Sequence, residues 1–203
     1  MSKIAILGAG GRLGGRLVHE ALDRQMRVNA LTRDPTRLRI ANELCNVFKG
    51  NVETGEGVEA ALAGCRWVVS AVSSPHPADF VSRLVKAHNV RKVDRLVFVS
   101  RADDTVPVHG FQERLASVIG HRTRDVARDI AAAHELLEVS GLPWLVLKTN
   151  GLTDDAGGKQ VVTSEPGQPR PGPVSRVDLA RFILGVIDAP GWHSREVNVG
   201  TKI

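Results

Sequence analysis

The segment Gly8-Ala9-Gly10-Gly11-Arg12-Leu13-Gly14 carries the clearest chemistry in the chain. It follows an apolar run, Lys3-Ile4-Ala5-Ile6-Leu7, and opens a stretch with Leu13, Leu17, Val18 and Leu22 on one helical face. A strand that turns directly into a helix over a bound pyrophosphate needs three things: a tight turn, backbone that approaches the anion closely, and close helix–strand packing. Gly8, Gly11 and Gly14 supply these in turn, and the helix N-terminus stabilises the negative charge. The spacing is GxxGxxG; Leu13 stands where GxGxxG, begun at Gly8 and Gly10, would place its third glycine. Arg12 lies inside the turn, within reach of a phosphate. These residues predict a dinucleotide site.

The second informative segment is Ala30-Leu31-Thr32-Arg33-Asp34-Pro35. A carboxylate at this strand end bonds the ribose 2′-OH of NAD, whereas a cation suits the 2′-phosphate of NADP. Arg33 occupies the position, and its planar guanidinium pairs a phosphate while stacking on adenine. Arg37, one helical turn on, is either a second phosphate ligand or a solvated surface residue. Asp34 is the counter-argument; standing before Pro35, it is expected to cap the next helix instead. The reading is NADP(H), with NAD the less favoured cofactor.

Positioning these groups takes alternating strands and helices, the pattern of a parallel sheet wrapped on both faces. Strands are expected at 3–7, 27–32, 46–49, 66–72, 95–100, 144–149 and 195–199, with a short one near 160–163. Helices are expected at 11–25, 35–44, 56–63, 78–89, 122–140 and 175–187. Ser175 followed by Asp178 resembles a capping box for the last of these. The expectation is one doubly wound α/β Rossmann-type domain over 1–203. The irregular stretches at about 101–120 and 152–173 are expected to form a small substrate lobe, since long loops beside a cofactor site are usually functional.

Bulk composition narrows the classes. Of 203 residues, 42% are hydrophobic and 24% charged, ordinary for a globular chain with a real core. No apolar run approaches the ~18 residues of a membrane span, and the N-terminus enters a strand at once, so a cytoplasmic location is expected. The net charge of +5 is scattered rather than clustered, and aromatics are few, which argues against nucleic acid and suits an anionic cofactor. Cys45 and Cys65 form no redox or zinc motif, and no metal site is expected.

Across nearly its whole length the sequence resembles atypical short-chain dehydrogenases/reductases, near the NmrA-like and flavin reductase/biliverdin-IXβ reductase-like NAD(P)-binding proteins. The marks are the GAGGRLG turn, Thr32-Arg33-Asp34-Pro35, Gly50-Asn51-Val52, Ser70-Ala71-Val72, Val97-Phe98-Val99-Ser100, Glu135-Leu136-Leu137-x-x-Ser140-Gly141-Leu142-Pro143-Trp144 and Ser175-Arg176-Val177-Asp178-Leu179-Ala180. The resemblance implies that Asn51 and Val52 border the adenine, where Asp is commoner than Asn. It also implies that Ala71, Val72 and Ser73 line the ribose and pyrophosphate, and that Ser100 faces the nicotinamide. Thr149, Asn150 and Gly151 would flank the carboxamide, in place of a commoner Arg-Pro-Gly.

The usual proton relay of such enzymes is absent. The chain has no tyrosine, and the lysine that many atypical relatives carry before the Glu-Leu-Leu segment is missing from Asp129–His134. Ser100 is the best-placed candidate catalytic group, with His109 a second; His121 and His134 are more ordinary histidines. The expected activity is hydride transfer from NADP(H) to a flavin, quinone or similar small conjugated acceptor, flavin being a substrate rather than a bound cofactor. The alternatives are a non-catalytic NADP(H)-sensing regulator with a protein partner, or an isomerase/epimerase on the same fold.

Overall fold

The computed structural model describes residues 2–72, 76–101, 121–192 and 194–202. Two of the sequence candidates, Ser73 and His109, and most of the 101–120 stretch lie outside the described residues.

The first strand, β1 (Lys3–Leu7), is apolar on both faces, as expected of a strand covered by helices above and below. Ile4 and Ile6 point to one core cluster, and Ala5 and Leu7 to the other. Helix α1 (Arg12–Asp23) buries Leu13, Gly14, Leu17, Val18, Ala21 and Leu22, a single stripe at helical spacing. Just beyond its end, Gln25 takes φ 57° and donates its N–H to the Leu22 carbonyl at 2.8 Å.

The remaining strands are β2 (Arg27–Thr32), β3 (Cys45–Lys49), β4 (Trp67–Ser70), β5 (Arg95–Arg101), β6 (Trp144–Thr149), β7 (Leu152–Thr153), β8 (Val161–Ser164), β9 (Val174–Ser175) and β10 (Arg195–Thr201). The remaining helices are α2 (Val58–Leu62), α3 (Pro77–Arg91), α4 (His121–Val139) and α5 (Arg176–Val186). Eight strands form one sheet in the order β3-β2-β1-β4-β5-β6-β10-β8. All pairs in it are parallel except β10 with β8. The order reverses beside β1, which opens the crevice between the ends of β1 and β4 where such sheets take ligands.

Two cores flank the sheet. One packs α1 and α5 against Ile4, Ile6, Val69, Val97, Leu145 and Leu147. The other packs α2, α3 and α4 against Ala5, Leu7, Val68, Leu96, Phe98 and Trp144. Each fully buried Leu or Ile contributes about 1.5–3 kcal/mol relative to exposure, so these layers hold the strand ends in fixed relation. This is a Rossmann-type α/β domain.

Two features differ from the sequence expectation. The helix expected over 35–44 is a single 3-10 turn, Pro35–Arg37. Leu38 N–H bonds the Pro35 carbonyl and Ile40 N–H bonds the Leu38 carbonyl, so no i to i−4 ladder starts. Leu38, itself buried, and Ile40 are drawn onto the α1/α5 core, and this outweighs local helix propensity. The other difference is the two-residue parallel pair β7–β9, which ties Leu152–Thr153 to the residues just before α5.

Candidate functional site

The turn after β1 is built as its glycines require. Gly8 has φ +79°, and a Cβ there would lie 2.5 Å from Val72 Cγ2. The N–H groups of Gly8 and Ala9 both donate to the Leu31 carbonyl, at 3.0 and 2.9 Å, and Gly11 N–H closes back on the Gly8 carbonyl at 2.9 Å. A Cβ on Gly14 would collide with the Gly8 carbonyl oxygen and lie 2.8 Å from Ala9 Cα, so only glycine lets α1 seat this close to β1. Gly11 is the α1 N-cap and offers no side-chain cap. The first amides of α1 therefore remain available to an anion.

Around this turn the sheet's carboxyl edge gathers most of the sequence candidates. A Cβ on Gly10 would meet Thr32 Oγ1 at 2.5 Å and Arg37 Cβ at 3.6 Å, which puts the turn against the end of β2. Arg33 and Arg37 are both exposed there and make no ion pair among the described residues. Asp34 is occupied: its Oδ1 accepts from Thr36 N at 3.0 Å and from Thr36 Oγ1 at 2.6 Å. These bonds hold its carboxyl below the usual range, with Arg37 and Lys49 adding to the effect. The local charge facing a ribose at this position is therefore cationic.

Next along the edge, Asn51 Oδ1 accepts from Glu53 N at 3.0 Å, closing a turn that buries Val52. Ala71 N–H donates to the Leu7 carbonyl at 3.0 Å, so the end of β4 stays locked to β1 beside the glycine turn. Ser100 stands in register with Lys148, and Thr149 Oγ1 donates to the Ser100 carbonyl at 3.4 Å. Thr149 is buried, while Asn150 and Gly151 are exposed beyond it. Gly151 accepts Val174 N–H at 3.1 Å, which fixes the route of the chain toward β7.

Three pairings escaped the sequence reading. Arg12 does not stand free: its Nη1 pairs with Asp154 Oδ2 at 3.1 Å, and Asp154 Oδ1 also binds Arg176 Nη1 at 2.7 Å. Asp178 makes only half of the expected capping box. Its N–H donates to Ser175 Oγ at 3.0 Å, but its carboxylate accepts from Gly158 N at 2.8 Å and Lys159 N at 3.1 Å. Burial pushes that carboxyl up, yet these N–H bonds, the Ser175 contact and Arg181 together hold it below its ordinary value. The third is that of Lys148, 5% exposed, whose Nζ lies 2.5 Å from Glu196 Oε1. Spacing rules link none of these pairs, which lie 142, 20 and 48 positions apart in turn.

The turn fits a dinucleotide: a Cβ at Gly8, Gly10 or Gly14 would strike the protein's own atoms, so glycine alone keeps the turn this tight, and the anchoring helix is uncapped. No group of three potential metal ligands occurs among the described residues, and none of the described helices is long and apolar enough to cross a membrane.

Comparison with known proteins agrees with this geometry. The family described as NAD(P)H-binding matches residues 8–190, and the chain belongs to it. An oxidoreductase, ptaF, from Pestalotiopsis fici is 27% identical over 229 residues, covering 98% of this chain and 84% of that protein. A wide-type short-chain dehydrogenase/reductase from Veillonella parvula, solved in complex with NADP, superposes with TM-score 0.79 at 21% identity, covering 98% of this chain and 94% of that one. A candidate NADH-flavin reductase from Streptococcus pneumoniae superposes with TM-score 0.74 at 15% identity over the full length of both chains. The fold is thus that of NAD(P)H-binding Rossmann-type proteins.

Proposed function

We propose that this protein is an NADP(H)-dependent oxidoreductase that passes hydride to a flavin, quinone or similar small conjugated acceptor. The observation that carries the cofactor choice is the end of β2, where Arg33 and Arg37 are exposed and Asp34 Oδ1 is bonded to Thr36. A 2′-phosphate meets two cations there, while one oxygen of the carboxylate that a 2′-hydroxyl would need is already engaged. Gly8, Gly10, Gly11, Leu13 and Gly14 would hold the pyrophosphate, with Arg12 once it leaves Asp154. Asn51 and Val52 would border the adenine, Ala71 and Val72 the central ribose, and Ser100, Thr149, Asn150 and Gly151 the nicotinamide end.

When bound, the reduced nicotinamide supplies the hydride. The protein's part is to fix donor and acceptor at short range; proximity and orientation alone lower a barrier by ~7–11 kcal/mol. The absence of tyrosine directs the reading to acceptors that need little acid catalysis. The same absence favours a second reading, a sensor of the NADP(H) redox state that catalyses nothing. Following NADPH absorbance with FMN, FAD and quinones in turn separates the two. Saturable oxidation with one of these acceptors is expected, and tight NADPH binding with no turnover would transfer the case to the sensor.

A further inference from the structure

Behind Ser100, on the α4 face of the sheet, lies a chain of titratable groups, Lys148 buried and Glu196 and His134 partly buried, that the fold does not require. Lys148 Nζ is 2.5 Å from Glu196 Oε1, and His134 Nε2 is 3.2 Å from Glu196 Oε2. The side chains of Lys148 and Glu196 are 5% and 15% exposed, and that of His134 is 30% exposed. The three come from β6, β10 and α4. Solvent therefore touches the chain at His134 and scarcely at Lys148.

Lys148 is placed at the carboxyl edge. It stands in register with Ser100 on β5, and registered neighbours on parallel strands project to the same face about 5 Å apart. Its other registered neighbour, Asn198, turns away: its amide donates to Ser164 Oγ and to the Glu165 carbonyl. Two and four residues earlier, Val146 and Trp144 on the same face are ordinary core. A buried ion pair is no better for stability than apolar residues of its size, and often worse. An ammonium at this position, in a strand that reads Trp-Leu-Val-Leu up to it, therefore calls for a role other than packing.

We propose that Lys148, Glu196 and His134 form a proton relay that leads from solvent at α4 to Ser100. This rests on the oxidoreductase reading above. Reducing a conjugated acceptor takes two electrons with one proton, as hydride, and then a second proton on the oxygen or nitrogen left anionic. Ser100 gives that proton to the acceptor and takes one from the Lys148 ammonium. The resulting amine is reprotonated through Glu196, which draws on His134 and so on water. The sum is acceptor, NADPH and one solvent proton converted to reduced acceptor and NADP⁺, with every relay group restored. Ser100 is the catalytic residue; Lys148, Glu196 and His134 act through it.

The electrostatics suit the outer end. Burial pushes the His134 imidazole below its usual value of 6.5; Glu196 and Glu138 pull it up and Lys148 pushes it down. Its ring also stands edge-on to Trp144, centroids 5.9 Å apart, which fixes its orientation toward Glu196.

The decisive variant is Lys148→Arg, which keeps the charge and the pairing with Glu196 but does not release a proton near neutral pH. Lys148→Met and His134→Asn accompany it, and each is compared with wild type in three measurements. These are NADPH affinity, the kcat–pH profile with an accepted flavin or quinone, and the His134 titration by NMR in the nucleotide-free protein. The relay predicts unchanged NADPH affinity and a kcat lowered roughly 100-fold or more in Lys148→Arg, within the range for a lost proton donor. It predicts a wild-type kcat that falls as pH rises through the His134 titration, a limb that vanishes in His134→Asn. It also predicts a His134 titration that moves up in Lys148→Met. Wild-type kcat and profile in Lys148→Arg would overturn the relay while leaving the reductase reading intact. NADPH binding without turnover by wild type would overturn both, and an unmoved His134 titration in Lys148→Met would break the relay at its middle link.

Discussion

Gly14→Ala tests how closely α1 must seat on β1 for the phosphate turn to work. The added methyl would collide with the Gly8 carbonyl oxygen and stand 2.8 Å from both Ala9 Cα and the Gly8 carbonyl carbon. All three are backbone atoms of the turn itself, so relief requires moving the helix rather than a rotamer. Overpacking of this kind costs about 1–3 kcal/mol. In a domain of this size, each 1 kcal/mol lowers Tm by roughly 2–4 °C, so a fall of about 2–12 °C is expected. The effect on binding is larger in proportion, because one lost charge-assisted bond from the displaced helix amides to the pyrophosphate, worth about 1.5–3 kcal/mol, removes roughly 10- to 150-fold. At a concentration 100 times its wild-type Kd, NADPH stabilises the wild type by about 2.7 kcal/mol, or ~5–11 °C. After a 100-fold loss the same concentration gives about 0.4 kcal/mol, a shift of ~1–2 °C. Thermal unfolding of both proteins, with and without NADPH, reads the two effects together. A Gly14→Ala protein that keeps the full NADPH-induced shift would refute the claim that this contact shapes the phosphate site.

Three further outcomes follow from contacts at the same edge. Asp34→Ala is expected to leave the NADPH-over-NADH preference in place, since the carboxylate serves Thr36; a changed preference in a binding titration would count against that assignment. Asp154→Asn releases Arg12 from an exposed pair worth at most about 1 kcal/mol, so NADPH affinity should rise by up to ~5-fold; weaker binding would mean that Asp154 positions Arg12 rather than competes for it. Asp178 has a folded-state carboxyl held below the ordinary aspartate value of 3.8. Its stabilising contribution is therefore complete above that value and lost as pH falls through the lower folded-state value. Asp178→Asn should accordingly be less stable than wild type at neutral pH, with the gap closing in acid denaturation below pH 3.8.

Much of the architecture was legible because the governing signals are local. β1, β2 and β6 match their expected bounds residue for residue, since apolar runs stopped by Gly8, Arg33 and Asn150 admit little else. The glycine turn was legible for the same reason, its three roles lying within seven consecutive residues. The 35–44 segment was misread because Pro35 and the residues after it permit a helix, while Leu38 and Ile40 answer to a distant core. The β7–β9 pair has two residues on each side, too few to leave a periodicity. Within the site, Arg12 was recognised but its partner Asp154 was not, and Asp178 was read as a cap when its carboxylate holds the 158–159 backbone. Lys148 carries no local signal of its burial; only the packing of β10 and α4 against β6 shows that it is buried and paired.

The central claim, that the end of β2 selects NADP(H), is tested most directly by fluorescence titration of NADPH and NADH into wild type and Arg33→Ala. A charge-assisted contact to the 2′-phosphate is worth about 1.5–3 kcal/mol. Wild type should therefore prefer NADPH, and Arg33→Ala should lose roughly 10- to 150-fold in NADPH affinity while binding NADH as before. Equal affinity for the two nucleotides in wild type, or an equal loss for both in Arg33→Ala, would contradict the account.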